Sequence, residues 1–234
     1  MITNTRYIFC KLKDTFGDQN WWPKDQKYHL THNTDPRFEV IVGAILTQNT
    51  SWSNVEKTLE KLKKSNVLDI NIIANLDIDK IAKYIKSSGF FNQKAKRLQI
   101  ISKYLKENYQ SNLDLLFNRP TSLIRSELLS INGIGPETAD SILLYAGEKP
   151  VFVVDAYTKR LCSRLPIDVE LTYNEIQNFF EKTLKKYYKQ EELVKIYNEF
   201  HALIVVFAKN YCKKKPKCLD CPLFDLCNYN EKII

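Results

Sequence analysis

Four cysteines in the C-terminal region, Cys212, Cys218, Cys221 and Cys227, are spaced C-x5-C-x2-C-x5-C within sixteen residues. Thiolates this close can all reach one iron–sulfur cubane, which takes four cysteine ligands. Zinc also accepts four sulfurs, but usually from two separated CxxC pairs. Here a single such pair, Cys218–Cys221, is flanked by lone cysteines. The spacing points to a [4Fe-4S] cluster; zinc, a disulfide or free thiols stay open on the residues alone. Cys10 and Cys162 fall outside the loop and read as packed thiols. Between the first two candidate ligands runs Lys213-Lys214-Lys215-Pro216-Lys217, either a solvated charge run or a phosphate contact.

A second pattern lies in LLSINGIGPETAD, Leu128 to Asp140. Ser122–Ser130 reads as a helix, and a second helix opens at Pro136, where proline's missing N–H had no intrahelical partner to lose. Gly133 and Gly135 permit a turn that a side chain would block. The amides there and at the new helix start can face a phosphate, aided by the helix dipole. A plain helix connection is the alternative. Downstream, Asp155 follows Phe152-Val153-Val154. Its carboxylate can cap the following helix or, being anionic at neutral pH, stabilise positive charge and accept a proton. All three tryptophans occur in two places: Trp21-Trp22-Pro23, and Trp52 just behind Gln48-Asn49-Thr50. Indole planes stack on other flat or cationic groups; they also fill cores.

The elements that must position these groups read as helices. Phe38–Leu46 is a continuous apolar run, and Val55–Leu62, Ile78–Ile85 and Ala95–Leu105 carry apolar residues at helical spacing. Thr172 with Glu175 forms a capping-box signal before a helix over Ile176–Tyr187. Leu193–Phe207 is another apolar stretch, and Val151–Val154 is the best extended segment. The chain has 234 residues and a formal net charge of +8, which favours a polyanionic partner such as nucleic acid. No apolar run is long enough for a membrane span and no secretory leader is apparent. A cytoplasmic protein with reduced thiols, nucleoid-associated if prokaryotic, is the expectation.

Taken together, LLSINGIGPETAD, the following Val-Val-Asp155 and the cysteine loop resemble the endonuclease III superfamily of helix-hairpin-helix DNA glycosylases. Ile45-Leu46-Thr47-Gln48-Asn49-Thr50 looks like its strand-invading segment, and Gly89–Ala95 like its GxxxxKA turn. The resemblance spans roughly residues 20–230; the first cysteine gap is one residue shorter than is common in endonuclease III. It implies an all-α, two-domain fold with a C-terminal [4Fe-4S] loop. A six-helix barrel would cover 30–149, with the hairpin at about 122–146, and a discontinuous cluster domain would join 1–29 to 150–234. It implies double-stranded DNA as partner, a monomer, and Asp155 as the catalytic residue. Gln48, Gly133, Gly135, Thr138, Lys213, Lys214 and Lys215 would contact DNA. Bifunctional members carry a lysine two residues after the second hairpin glycine, where this chain has Glu137. The resemblance therefore implies a monofunctional glycosylase without lyase activity. Trp-Trp-Pro, the aromatic after Gln-Asn-Thr and the Pro-Glu-Thr hairpin resemble the type III 3-methyladenine branch. That branch implies a base pocket of Trp21, Trp22, Pro23, Trp52, Glu137 and Lys209. The alternatives are a bifunctional glycosylase for oxidised pyrimidines, and a DNA-binding or redox-sensing iron–sulfur protein.

Overall fold

A computed structural model describes residues 4–229 of the chain. Its helices are α1 (Thr5–Phe16), α2 (Gln26–His32), α3 (Pro36–Leu46), α4 (Trp52–Lys64), α5 (Ile70–Asn75), α6 (Ile78–Tyr84) and α7 (Phe91–Tyr109). There follow α8 (Leu113–Phe117), α9 (Thr121–Ser130), α10 (Pro136–Ser141), α11 (Ala156–Arg164), α12 (Tyr173–Leu184) and α13 (Leu193–Asn210). No strand occurs among the described residues, so the all-α expectation holds. Packing divides the chain into Trp22–Lys149 and a second unit that joins Met1–Trp21 to Pro150–Ile234. This boundary differs from residue 30 because Trp22 packs on Tyr145 and Trp52, and Asp25 pairs with Lys63.

The larger unit is built around α3. Asp35 caps it by accepting from the Arg37 amide at 2.8 Å, and Pro36 takes the first helical position. Every residue from Phe38 to Leu46 is buried, as a helix apolar on all sides requires. Glu39, buried with the rest, is the one charged residue in that run. It accepts from His29 Nε2 at 3.0 Å and from the Asp25 amide at 2.9 Å, with Lys63 Nζ 3.4 Å away. Burial works against its charge, but these partners prevail and hold its pKa below the ordinary value.

The end of α3 is tied to α7 by a buried lysine. Lys94 is 1 % exposed, and its Nζ donates to the Leu46 carbonyl at 2.8 Å and to the Ser88 carbonyl at 2.6 Å. Carbonyls at a helix C-terminus lack intrahelical partners, and the ammonium supplies one. Burial, with Arg97 nearby, lowers the Lys94 pKa to about 8. The hairpin helices α9 and α10 are joined by another buried group. Asp140, fully buried, takes Arg125 Nε at 2.7 Å and Nη2 at 3.0 Å in a bidentate pair.

In the second unit α1 packs on α12 and α13, and α11 on α13. Thr5 Oγ1 donates to Thr183 Oγ1 at 3.0 Å. Phe152 stacks on Phe180 at 4.4 Å, with Phe200 and Tyr197 edge-on. Residues 151–154 are not a strand, despite their composition. The Phe152 amide donates to Glu181 Oε1 at 3.0 Å and its carbonyl accepts from Gln177 Nε2 at 2.7 Å. Side chains of α12 thus supply what a neighbouring strand would have given. Helix α12 starts at Tyr173, earlier than expected, because Thr172 itself accepts from the Glu175 amide at 3.3 Å. It stops at Leu184, where a tight turn from the Tyr187 amide to the Leu184 carbonyl closes it.

Asp140→Ala should leave the Arg125 guanidinium without its carboxylate and cost about 3 kcal/mol, the lower end for a broken buried pair because Arg125 keeps some solvent. Urea unfolding followed by circular dichroism checks this; a loss near zero would refute the role given to the pair.

Candidate active site and nucleic-acid interface

On the larger unit, Gln48 and the hairpin form one cluster. The loop after α3 brings Gln48 to the turn, where its Nε2 donates to the Gly133 carbonyl at 3.1 Å and to Thr138 Oγ1 at 2.9 Å. Arg97, from α7, donates to Gln48 Oε1. Gly133 has φ +89°, a conformation that favours glycine, and a Cβ there would lie 2.5 Å from Arg97 Nε. A Cβ on Gly135 would meet nothing within 4 Å, so that side of the turn is open to a ligand. Gly135, Pro136 and Glu137 are all exposed. Glu137 lies in the first turn of α10, where a negative charge suits the helix dipole.

Trp22 and Trp52 also belong to this unit. Trp22 is buried; its ring meets Trp52 edge-on at 5.1 Å and Tyr145 at 5.2 Å. Gly43 makes room for it, since a Cβ there would sit 2.9 Å from the indole. Trp52 opens α4 half-exposed and lines a surface pocket with Pro23, Asp25, Glu56 and Lys63.

On the second unit, Asp155 caps α11. Its Oδ1 accepts from the Thr158 amide at 2.7 Å and from Thr158 Oγ1 at 2.9 Å. Its Oδ2 faces His201 Nε2 of α13 at 3.7 Å, an ion-pair distance beyond ordinary hydrogen-bond length. Both residues are buried. Burial opposes the charge on Asp155, yet His201 and the two Thr158 donors outweigh it and hold the carboxyl below its ordinary pKa. Trp21 meets the His201 ring edge-on at 6.2 Å. Two residues before His201, the buried Glu199 accepts from the backbone amides of Gln19 and, at 3.3 Å, Asn20. The chain is thereby fixed immediately before Trp21. Lys209 stands exposed on the last turn of α13.

The four loop cysteines come together. Cys212, Cys218, Cys221 and Cys227 line one cavity with Leu161, Phe207 and Leu223. Arg164 Nη1 donates to Cys212 Sγ at 3.1 Å, and Arg160 Nε to the Cys212 carbonyl at 2.7 Å. Among the described residues, no three His, Cys, Asp or Glu side chains are gathered for a single metal ion. An all-thiol donor set around one cavity fits an iron–sulfur cluster, and zinc accepts four thiolates as well. Lys213, Lys214 and Lys215 are exposed beside it, and Arg164 also donates to the Lys213 carbonyl at 2.8 Å. Cys10 is exposed; Cys162 is the buried thiol the sequence predicts.

Sequence reasoning missed Arg97 and Glu199, because their partners lie far off in the chain. The signal available for Glu199 was a carboxylate inside an apolar helix, which demands a partner.

Residues 42–186 match the family model described as HhH-GPD superfamily base excision DNA repair protein. The chain is 47% identical over 222 residues to a Methanocaldococcus jannaschii protein provisionally named a DNA repair glycosylase, covering 94% of each. It is 30% identical over 200 residues to endonuclease III of Thermotoga maritima, covering 85% of each. The crystal structure of Helicobacter pylori 3-methyladenine DNA glycosylase bound to 1,N6-ethenoadenine aligns with a TM-score of 0.68 and 33% identity, over 87% of this chain and 96% of that one. No helix among the described residues is long and apolar enough to cross a membrane.

The lowered pKa of Asp155 makes its stabilisation complete above the ordinary carboxyl value of 3.8, and that stabilisation is lost as pH falls through the native value. Asp155→Ala, which also removes the cap, should cost about 1–2 kcal/mol at neutral pH. The difference from the parent should shrink below pH 3.8 in urea titrations at stepped pH; a difference that grows on acidification would contradict it.

Proposed function

Because the chain belongs to the HhH-GPD superfamily of base excision DNA repair proteins, we propose that it is a monofunctional DNA glycosylase that releases N-alkylated purines such as 3-methyladenine from duplex DNA. The observation that carries the monofunctional reading is Glu137. It occupies the hairpin position where a Schiff-base lysine would stand, exposed at the start of α10. A carboxylate cannot form an imine with the opened sugar, so strand nicking by that route is closed.

The substrate reading rests on the likeness to the Helicobacter pylori 3-methyladenine enzyme and on the tryptophans. A base made cationic by alkylation is already a good leaving group. The site then needs an electron-rich surface and a fixed anion more than a strong acid. Trp21 offers an indole on the same unit as Asp155, and the half-exposed Trp52, backed by Trp22, offers another on the larger unit. Pro23 is exposed beside them in sequence; Glu137 on the larger unit and Lys209 on the second are the polar candidates for contact with the base.

The carboxylate of Asp155 has divided duties. Oδ1 is committed to Thr158, which fixes the group in place, and Oδ2, 3.7 Å from His201 Nε2, is the oxygen we assign to the reacting sugar. As the N-glycosidic bond breaks, the anion stabilises the oxocarbenium character at C1′. It then accepts a proton from the water that attacks there, leaving an abasic site. Duplex binding is assigned to the hairpin amides around Gly133 and Gly135, to Thr138, and to Lys213, Lys214 and Lys215, with Gln48 entering the vacated stack. Cys212, Cys218, Cys221 and Cys227 would hold a [4Fe-4S] cluster, which supplies cross-linking that presents the lysine loop.

Duplexes carrying 3-methyladenine, 7-methylguanine, thymine glycol and uracil test this reading in one screen. The methylated purines should be released, with strand scission only after alkali. Asp155→Asn, which keeps a cap, should slow release about 100-fold or more. A borohydride-trapped adduct on an abasic duplex would favour the lyase alternative instead.

A further inference from the structure

A side-chain amide has an acceptor end and a donor end, and Gln48 has both occupied. Its oxygen accepts from Arg97, while its nitrogen donates to the Gly133 carbonyl at 3.1 Å and to Thr138 Oγ1 at 2.9 Å. Guanidinium is donor-only, so it admits the oxygen and refuses the nitrogen. Arg97 and the acceptor-only Gly133 carbonyl thereby select the same orientation of the amide, with its nitrogen toward the hairpin. The Arg97 stem also fills the space beside the turn. A Cβ on Gly133 would lie 2.5 to 2.7 Å from Arg97 Nε, Cγ and Cδ. Glycine at 133 therefore serves the approach of Arg97 as well as its own positive φ.

The helix that carries Arg97 is itself anchored to the Gln48 loop. Lys94, one turn earlier on α7, donates to the Leu46 carbonyl at 2.8 Å. Residues three apart share a helix face. One face of α7 thus holds the backbone two residues before Gln48 and the Gln48 side chain as well.

We propose that Arg97 is a positioning residue for strand invasion: acting through Gln48, it locks the inserting amide to the hairpin turn, so that both meet the duplex as one preset unit. The proposal rests on the assignment of the hairpin to phosphate and of Gln48 to the gap in the stack. It does not depend on which base is released. Preorganisation of this kind avoids the ordering cost of a loose side chain at the moment of binding.

The test uses the full chain and a duplex bearing a tetrahydrofuran abasic analogue, with 2-aminopurine beside it to report unstacking. Affinity is read by anisotropy. Arg97→Met and Gln48→Ala should each weaken binding to the abasic duplex about tenfold and lower the 2-aminopurine signal, and the double variant should be no worse than either single one, because both remove one coupled interaction. Binding to undamaged duplex should change less than about twofold in both. Arg97→Lys keeps a charge but loses the planar fork, so it should fall between parent and Arg97→Met. Two results would overturn the proposal. In one, the single effects multiply in the double variant. In the other, Arg97→Met weakens both duplexes equally and reduces the salt slope by about one, the mark of a simple phosphate contact. If Arg97→Met melts early, the Arg97→Lys and Gln48→Ala pair carries the same cycle. Because no readout requires base release, inactivity on methylated DNA would sink the substrate assignment and leave this test standing.

Discussion

The larger unit depends on a buried ammonium. Lys94 enters the interior without a carboxylate and is satisfied by two backbone carbonyls, one ending α3 and one in the turn before α7. A methylene stem with a donor tip is what the geometry needs, because the groups to be satisfied are acceptors that α-helices leave over at their ends. Burial disfavours the cation, and with Arg97 nearby it lowers the Lys94 pKa to about 8. Once those segments are fastened, the loop after α3 has a fixed exit, and Gln48 reaches the hairpin from a defined direction. The hairpin has its own brace, the Arg125–Asp140 pair between α9 and α10.

The second unit repeats this logic with the signs reversed. Its interior carboxyls take backbone amides among their donors: Asp155 that of Thr158, beside the Thr158 hydroxyl and His201, and Glu199 those of Gln19 and Asn20. A carboxylate that receives amide donors is stiffly aimed, since N–H groups in a turn cannot rearrange as water does. Helix α13 supplies Glu199 and His201 two residues apart, so a single rigid element sets both the chain before Trp21 and the surroundings of Asp155.

Much of this was legible in the residues. The turn at Gly133–Gly135, the helix opening at Pro136, the capping threonine at 172 and the cysteine cavity all rest on local chemistry, which spacing reveals. The composition of Val151–Val154 misled, because its hydrogen-bond partners are side chains of α12 and not a strand. Trp22 carried two readings in the sequence, stacking surface or core filler, and Gly43 is what seats it deeply. Arg97 and Glu199 were illegible for a different reason. Arg97 reaches across 49 residues, and Glu199 across 180 to Gln19. Periodicity carries no information at such separations. Only the anomaly of charge within an apolar stretch, as at Glu39 and Glu199, marks that a distant partner must exist.

The interleaving of the two units has a consequence for biosynthesis. Helix α1 leaves the ribosome well before the helices it packs on, α12 and α13, are translated. The intervening 128-residue unit, Trp22 to Lys149, can finish folding while α1 is still waiting. Assembly of the second unit is therefore a late, long-range closure. The apolar face of the nascent α1, with Ile8, Phe9 and Leu12, stays uncovered during that interval.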